Sequence, residues 1–196
     1  MSGESNKLIE LLREQHGEAV IGSYVSGGDA SVLIGRDKLI EVMQFLRDDP
    51  RCLMNMLVMV TAVDYLDYPT QLRPACSPAD EGNAYGFNAY DMPRYEVVYA
   101  LLSMPLRQRL RVKVPLTADD PHVPTLCDLY KAANWGEREA WDMLGVVFDG
   151  HPDLRRMLMY EEFEGHPLRR DYDLRGYQPL VDMPHLADYK DNARDR

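Results

Sequence analysis

The sequence predicts an α+β fold, with a single domain built on a mostly antiparallel sheet packed by helices and followed by an extended C-terminal tail. Three patterns lead to this prediction. Apolar residues near the N-terminus recur at helical spacing, two later segments alternate as an antiparallel strand pair joined by a short turn, and the final residues lose all periodicity. We therefore assign residues 1–172 to the domain and residues 173–196 to the tail.

Two amphipathic helices and a hairpin are predicted in the first fifty residues. The first helix precedes Gly17, a residue type that commonly ends helices, and the hairpin joins residues 19–25 to residues 31–34 through a Gly-Gly-Asp turn. A second helix covers Arg36–Arg47 and stops before Pro50. Its predicted apolar face consists of Leu39, Ile40, Met43 and Leu46.

Three further strands are predicted in the middle of the chain. Residues 53–64 are apolar at successive positions, which favours a strand buried on both faces. Residues 95–104 and 107–116 predict an antiparallel pair. One face of its second strand is a basic stripe that either meets an acidic partner or lies in solvent, and it consists of Arg109, Arg111 and Lys113. The intervening residues 68–93 are rich in Pro, Gly, Asn and Tyr and predict an irregular loop.

The overall composition is that of a globular protein and argues against two kinds of partner. Hydrophobic residues make up 45% and charged residues 28% of the 196 residues, which is enough for one core. The net charge is −10, whereas nucleic-acid binding requires a basic surface. No apolar run reaches the roughly 20 residues of a transmembrane helix. We therefore expect a cytoplasmic protein with no nucleic-acid partner and no membrane span, which meets a membrane only through other proteins.

The cysteines and glycines argue against a cofactor held by this chain. Cys52, Cys76 and Cys127 are widely separated, whereas an iron–sulfur cluster usually takes four thiolates and structural zinc takes four ligands in close pairs. The glycine-rich nucleotide motifs are also absent from the sequence. We expect no cofactor and no metal in this chain.

Residues 134–172 carry the densest pattern of charge. The run Glu137-Arg138-Glu139 is followed by Asp142, and Asn134 with Glu137 fits the capping box of a helix that ends at Gly145. Two similar phrases come next, and the second continues into Asp171 and Tyr172. They read Gly150-His151-Pro152-Asp153-Leu154-Arg155-Arg156 and Gly165-His166-Pro167-Leu168-Arg169-Arg170. We call residues 134–172 the signature segment.

Acid–base catalysis and metal binding are two interpretations that the signature segment fits poorly. Its carboxylates and histidines are proton-carrying groups, yet no nucleophile accompanies them. Arg138 precedes Asp142 by one helical turn, so the two are expected to pair and to keep that carboxylate ionised. A metal site at His151 and His166 would lack the usual number of ligands.

Protein interaction accounts for more of the signature segment. Each Gly-His-Pro favours an extended histidine followed by the start of a short helix, from which a leucine anchors and two arginines project. Guanidinium groups form bidentate contacts with carboxylates, which belong either to a partner or to this chain. The predicted interface residues are Glu137, Arg138, Glu139, Asp142, His151, Arg155, Arg156, His166, Arg169, Arg170, Asp171 and Tyr172.

The signature segment resembles the C subunit of NADH-quinone oxidoreductase, respiratory complex I. The resemblance rests on the ERE run, an aromatic residue at Trp141, Asp142, Gly145, Phe148 and the two phrases, all in this order. It continues more weakly upstream, through residues 61–64, 94–99 and 110–114. The resemblance implies an α+β subunit of the hydrophilic arm, whose C-terminal extension wraps over neighbouring subunits.

The function that the resemblance implies is structural support without a redox centre. Family members contact the quinone-site D subunit and the cluster-bearing B and I subunits, while FMN and iron–sulfur clusters reside in partner subunits. The arm passes electrons from NADH to quinone and is coupled to proton pumping, so the chain is expected as a peripheral protein at the cytoplasmic face of the cell membrane. An equivalent subunit of a membrane-bound hydrogenase, or of a dehydrogenase with another electron donor, is the alternative. A free-standing acid–base enzyme is a third possibility.

The tail is expected to order only within an assembly. Residues 175–196 combine two prolines, many charges and few apolar anchors, so their own burial cannot offset the entropy lost on ordering. We expect this segment to be unstructured in the isolated chain and ordered against a partner.

Overall fold

The structure is a computed structural model, and it describes residues 2–67, 93–176 and 178, with side chains described from residue 6 onward. Most of the predicted irregular loop and most of the predicted tail lie outside the described residues, so both remain predictions. Within the described part of the chain, no helix is both long enough and apolar enough to cross a bilayer.

Helices and strands follow one another largely as the sequence patterns predict. Apolar periodicity of 3.6 residues marks the helices and alternation marks the strands. The elements are α1 (Ser2–His16), β1 (Val20–Ser26), β2 (Asp29–Ile34), a 3-10 turn (Arg36–Lys38), α2 (Leu39–Asp48), β3 (Met56–Asp64), β4 (Tyr95–Ser103), β5 (Gln108–Leu116), β6 (His122–Pro124), α3 (Ala133–Leu144) and β7 (Val147–Asp149).

A five-stranded sheet has the order β1-β2-β5-β4-β3. Every neighbouring pair is antiparallel except β2 and β5, which run parallel. The short strands β6 and β7 form a separate parallel pair. The prediction of an α+β fold with a mostly antiparallel sheet is therefore confirmed.

One core joins the helices to one face of the sheet. The alternating apolar residues of β5 lie at its centre and are almost completely buried, as predicted: Leu110, Val112, Val114 and Leu116. Buried residues of α1, α2 and α3 belong to the same cluster, among them Leu12, Met43 and Ala140.

The buried face of α2 differs from the prediction at one position. Ile40 is 38% exposed, whereas Val42 is fully buried. The α-helix begins at Leu39, after the 3-10 turn. The core-facing residues follow the spacing i, i+3, i+4, i+7, which an α-helix requires, and are Leu39, Val42, Met43 and Leu46.

The prediction that residues 53–64 are buried on both faces is wrong. Met56, Val58 and Met59 are each about half exposed, because β3 is the edge strand of the sheet. An irregularity between Leu57 and Met59 shifts the register, and Leu57 and Val60 are the β3 residues that enter the core. Continuous apolar sequence favours a central strand, but strand order depends on contacts that are distant in sequence.

The basic stripe on β5 is neutralised within the chain at two of its three positions. Lys113 is buried, and its Nζ lies 2.6 Å from a carboxylate oxygen of Glu96. Arg111 Nη2 lies 2.8 Å from an oxygen of Asp29. Burial lowers the pKa of Lys113, but the Glu96 carboxylate and the Tyr24 hydroxyl together raise it by more, so the ammonium group stays charged. The stripe is therefore neither uniformly solvated nor wholly available to a partner.

Helix α3 is held close to β3 by a glycine. A Cβ atom at Gly136 would lie 2.9 Å from Val60 Cβ and 3.2 Å from the Val60 carbonyl oxygen. Because both neighbours belong to a packed strand, the helix backbone can approach only without a side chain at this position. This contact sets the distance between the sheet and the signature segment, which begins on α3.

Gly136→Ala should lower the free energy of unfolding by about 1–3 kcal/mol, because the added methyl group must push α3 away from β3. Gly35→Ala is the matched control, since a Cβ there meets no atom within 4 Å and its φ of −62° suits alanine. Urea unfolding of both variants measures the difference. Equal stability of the two variants would show that the packing is not tight.

Candidate interaction site

The helix that carries the first half of the signature segment begins differently from the capping-box prediction. Ala132 precedes α3 in a helical conformation and no side chain caps the helix, so the predicted pairing of Asn134 with Glu137 is wrong. Asn134 instead accepts a hydrogen bond at its carbonyl from His151 Nε2 (3.1 Å). Gly145 ends the helix as predicted, with a φ of 75° that favours glycine.

Glu137 faces the core and binds the loop after β6. Its carboxylate accepts hydrogen bonds from the Thr125 hydroxyl and from the Leu126 N–H (2.8 Å), and the Cys127 thiol lies 3.6 Å away. Burial raises the pKa of Glu137, and the hydrogen bonds only partly oppose this. Glu139, two residues further on, is exposed at the protein surface. Of the two glutamates in the ERE run, one is therefore internal and one reaches solvent.

Asp142 is the centre of the signature segment. The carboxylate is fully buried and accepts four hydrogen bonds, one from Arg156 Nη1 (2.7 Å) and three from the consecutive backbone N–H groups of Met157 (3.0 Å), Leu158 (2.8 Å) and Met159 (3.0 Å). Burial raises the pKa of Asp142, but the three N–H groups and the guanidinium lower it by more, and the net pKa lies below its ordinary value.

The predicted pairing of Arg138 with Asp142 along the helix is wrong, although the predicted ionised state of Asp142 agrees with the direction of the pKa shift. Arg138 donates to the backbone carbonyls of Arg155 and Arg156, at 3.2 Å each. The arginine that pairs with Asp142 lies 14 residues later in the chain. Helical spacing identifies neighbours on one helix, but a loop folded against the helix supplies a better-placed donor.

Arg156 ties the first phrase to the aromatic residues of the segment. Its guanidinium also donates to the carbonyls of Phe163 (2.6 Å) and Gly165 (3.0 Å). It lies over the rings of Trp141 (5.7 Å) and Phe163 (5.4 Å). Phe163 in turn stacks on Tyr172, with ring centroids 6.0 Å apart.

The second phrase closes the C-terminal end of α3. Arg169 Nε donates to the Leu144 carbonyl (2.6 Å), and His166 Nδ1 donates to the Asp142 carbonyl (3.0 Å). These carbonyls lie in the last turn, where α-helices lack internal donors and favour positive charge. Burial lowers the pKa of His166, which favours the neutral imidazole. A Cβ at Gly145 would collide with both Arg169 and His166.

An ion-paired cluster that the sequence interpretation missed attaches the second phrase to the sheet. Asp64, the last residue of β3, pairs with Arg94 (3.0 Å) and accepts a hydrogen bond from the Arg170 N–H (3.0 Å). Arg94 also pairs with Asp171 (2.8 Å). The Tyr95 ring centroid lies 4.8 Å from the Arg94 guanidinium. Asp64 and Arg94 fall in stretches that resemble the family, residues 61–64 and 94–99. Neither stretch contains a spacing pattern that would predict the ion pair.

The structure divides the four arginines of the two phrases into an inward pair and an outward pair. Arg156 and Arg169 bind groups of this chain, as described above. The Arg155 side chain is 68% exposed and forms an ion pair with Asp153 at 3.0 Å. Arg170 is exposed, and its guanidinium has no side-chain partner among the described residues. Contacts within the chain therefore explain the inward pair and leave the outward pair available to a partner.

The predicted short helices after the prolines do not form. Residues 150–172 contain turns, bends and irregular backbone, and no helix or strand. Leu154 packs against the core, but Leu168 is exposed, so only the first phrase uses its leucine as an anchor. Asp142 and Arg156 bind backbone groups in this segment that a helix would have satisfied internally.

The residues considered for a metal site are only partly brought together. His151 lies near Cys127 and Glu137, with donor atoms within 4.8 Å of one another, and His166 is not among them. His151 Nδ1 accepts from the Asp153 N–H (3.0 Å) while Nε2 donates to the Asn134 carbonyl, so both ring nitrogens are already bonded. Burial also raises the pKa of the Cys127 thiol and disfavours the thiolate that a metal requires. Three such donors fit a hydrogen-bonded cluster better than a four-ligand metal site.

Comparison with protein families identifies the class to which this fold and segment belong. Residues 32–178 match the family described as respiratory-chain NADH dehydrogenase, 30 Kd subunit, and the chain belongs to this family. The matched span includes the end of β2, the strands β3 to β7, the helices α2 and α3, and the whole signature segment. The family resemblance deduced from the signature segment is therefore confirmed.

Individual relatives are named as the C subunit of NADH-quinone oxidoreductase. The chain is similar to the protein of Geotalea uraniireducens, at 35% identity over 88% of this chain and 90% of the relative. It is also similar to the protein of Acidithiobacillus ferrooxidans, at 38% identity over 96% of this chain and 83% of the relative.

The fold is shared with solved structures, among them two that differ in their sequence identity to this chain. One, described as Nqo5 of the trypsin-resistant fragment (1-134), is 31% identical and covers 75% of this chain and 98% of that chain, with a TM-score of 0.57. The other belongs to an archaeal membrane-bound sulfane sulfur reductase, covers 96% of this chain and 91% of that chain, and has a TM-score of 0.58. At 19% identity, this second likeness concerns the fold alone.

Asp142→Asn should lower the free energy of unfolding by about 3–5 kcal/mol at neutral pH, because it leaves the poorly exposed Arg156 without its charged partner. Asp153→Asn is the matched control, since its partner Arg155 is exposed and such pairs contribute about 0–1 kcal/mol. Chemical denaturation of the isolated chain measures both changes. Similar small losses in the two variants would contradict a central role for Asp142.

The difference between wild type and Asp142→Asn should also depend on pH. The folded-state pKa of Asp142 lies below its ordinary value of 3.8, so its stabilisation is complete above that value and is lost as the pH falls through the lower folded pKa. The two proteins should therefore converge in stability in strong acid. Denaturation curves from neutral pH down to strong acid measure this, and a constant difference across the range would contradict the assignment.

Proposed function

We propose that this chain is a non-redox structural subunit of the peripheral arm of a proton-pumping NADH:quinone oxidoreductase. In this role it holds neighbouring subunits in place while electrons pass from NADH, through FMN and iron–sulfur clusters in the partner subunits, to quinone. Its direct partners are the quinone-site D subunit and the cluster-bearing B and I subunits. The assembly lies at the cytoplasmic face of the cell membrane, and the isolated chain is not catalytic.

The observation that carries this proposal is the way the signature segment uses its charges. Its buried carboxylates, Glu137 and Asp142, are both hydrogen-bonded within the chain. The histidines are likewise bonded to backbone groups. These groups stabilise the segment, and a general acid or base would need a free proton-transfer position facing a substrate. The remaining exposed cations suit contacts with other proteins.

An equivalent subunit of a related complex is the second candidate. The shared fold with a chain of the archaeal sulfane sulfur reductase favours it, since the same domain occurs there in a different respiratory assembly. A membrane-bound hydrogenase or a dehydrogenase with another donor would use the chain in the same structural role. Membranes from cells that lack the chain distinguish the candidates, because loss of NADH:quinone reductase activity supports the first and loss of hydrogen oxidation supports the second.

Charge reversal of the outward arginines should impair assembly without unfolding the chain. The double variant Arg155→Glu/Arg170→Glu removes two exposed guanidinium groups, so its melting temperature should match wild type. If both contact partner carboxylates, complex yield and NADH:quinone reductase activity should fall, since disrupting a buried interfacial charge pair costs about 2–5 kcal/mol.

Arg156→Glu and Arg169→Glu are the matched controls for the inward pair. Each places a carboxylate beside groups that now accept hydrogen bonds, so the isolated chain should melt at a lower temperature. Melting temperature and complex yield are measured together for all variants. Normal complex yield and activity in the outward double variant would refute the docking role.

Protein purified without oxygen should be colourless and should contain no stoichiometric metal. The chain has three cysteines, one fewer than a four-thiolate cluster needs, and the donors around Glu137 are already hydrogen-bonded. An absorption spectrum and elemental analysis measure this directly. A flavin, an iron–sulfur cluster or one bound zinc per chain would contradict the structural role.

A further inference from the structure

Trp135 is a large apolar side chain that the fold leaves in solvent. It lies in the first turn of α3 and is 66% exposed, whereas the other tryptophan, Trp141, packs against the core. Indole rings contribute more than most side chains to contacts between proteins, because they bury a large area with little loss of conformational freedom. An exposed tryptophan on a helix whose other apolar side chains are packed therefore suggests a contact surface.

The surroundings of Trp135 hold the ring in a fixed setting. The Arg138 guanidinium lies over the ring, 5.6 Å from its centroid. The same guanidinium donates to the carbonyls of Arg155 and Arg156, which fixes the arginine between the ring and the loop. The backbone at Asn134 is bound by His151. The ring is therefore presented by a helix end and a loop that are cross-linked by hydrogen bonds.

The rim of this surface is cationic. The Arg155 side chain is 68% exposed, and its own backbone carbonyl is one of the two that Arg138 binds, which places the residue next to the ring. Its pairing with Asp153 is exposed, and exposed pairs are weak enough for a carboxylate of another protein to replace them. Tryptophan and arginine are among the residue types most enriched at the energetic centres of protein interfaces.

We infer that Trp135, Arg138 and Arg155 form the anchor of a docking surface for a partner protein that offers an apolar pocket with a carboxylate at its edge. The pocket receives the indole ring, and the carboxylate binds the Arg155 guanidinium. This inference rests on the proposed function, in which the chain belongs to a multi-subunit assembly, and it adds the position and chemistry of one contact.

A protein partner fits this surface better than a lipid membrane does. The chain has a net charge of −10, which opposes approach to an anionic bilayer. Asp153 is exposed beside Arg155 and would face the same phosphate groups. A protein pocket can place single carboxylates opposite single arginines, which a bilayer surface cannot.

Assembly of the full chain with Trp135 substituted is the first test. Tagged wild type, Trp135→Ala and Trp135→Phe are expressed in cells that lack the native copy, and the purified complex is quantified together with its NADH:quinone reductase activity. Trp135→Ala should reduce complex yield at limiting expression about tenfold or more, and Trp135→Phe should restore part of it, because a ring remains. The melting temperature of the free chain should stay unchanged, since the indole is mainly in solvent.

Met104→Ala is the matched control. Met104 is 61% exposed and lies at the turn between β4 and β5, so its removal also deletes a large exposed apolar side chain. Its complex yield should equal wild type if the effect is specific to the anchor. An equal loss in Met104→Ala and Trp135→Ala would overturn the assignment, because it would reflect a general loss of exposed apolar area.

Oxidative footprinting supplies an independent measurement. Tryptic cleavage after Lys131 and Arg138 places Trp135 and Trp141 in separate peptides, so hydroxyl-radical oxidation of each ring can be counted by mass spectrometry. Trp135 should oxidise readily in the free chain and about tenfold more slowly in the assembled complex, where a pocket covers the ring. Equal oxidation of Trp135 in both states would overturn the inference.

The outcomes separate the inference from the proposed function. If tagged wild type assembles into no complex, the proposed function fails and the inference falls with it. If wild type assembles while Trp135→Ala assembles equally well and the ring stays reactive, only the inference fails. Flotation with vesicles of equal parts phosphatidylcholine and phosphatidylglycerol should leave the wild-type chain unbound, and binding that Trp135→Ala abolishes would overturn the inference by assigning the surface to lipid.

Discussion

The Asp142 carboxylate is the group on which the rest of the signature segment depends. Residues 150–172 have no helix or strand, so their backbone N–H groups need acceptors from elsewhere. Asp142 supplies one acceptor group for three consecutive N–H donors and for Arg156. A neutral amide at this position would offer one oxygen and add two donors, which is why a carboxylate is required. The conformation of the loop therefore follows from a charge buried near the end of α3.

The two similar phrases have different roles because a different arginine of each pair faces inward. Asp153 is additional in the first phrase, and the inward arginine is the second of the pair there but the first of the pair in the second phrase, so it comes six residues after Gly150 but four residues after Gly165. The first phrase surrounds Asp142, whereas the second caps α3 and reaches the Asp64–Arg94 pair. In both phrases, the arginine five residues after the glycine faces outward. The two phrases therefore share the position of the outward arginine relative to the glycine and differ in the position of the inward arginine.

Local periodicity was sufficient to predict most elements of the fold, but not their partners. Alternation along β5 predicted its buried face, and Gly145 predicted the end of α3. The edge position of β3, the pairing of Lys113 with Glu96 and the donor for Asp142 all depend on contacts distant in sequence. The motif identifies the signature segment, but nothing in its sequence points to the Asp64–Arg94 pair that attaches it to the sheet. No spacing rule relates a strand end to a loop that follows more than a hundred residues later.

The internal use of charge also affects how the segment can bind a partner. A loop without helix or strand would ordinarily lose much conformational entropy on binding, which weakens association. Here Asp142, Arg156 and Arg169 fix the loop before any partner arrives, and side chains such as Arg155 and Leu168 remain exposed on it. The inward charges thus reduce the conformational entropy that the loop loses when its outward residues contact a partner. Buried ion pairs contribute only modestly to net stability. In a subunit whose proposed task is to hold other subunits in place, they have a second role, because they preorganise the loop for binding.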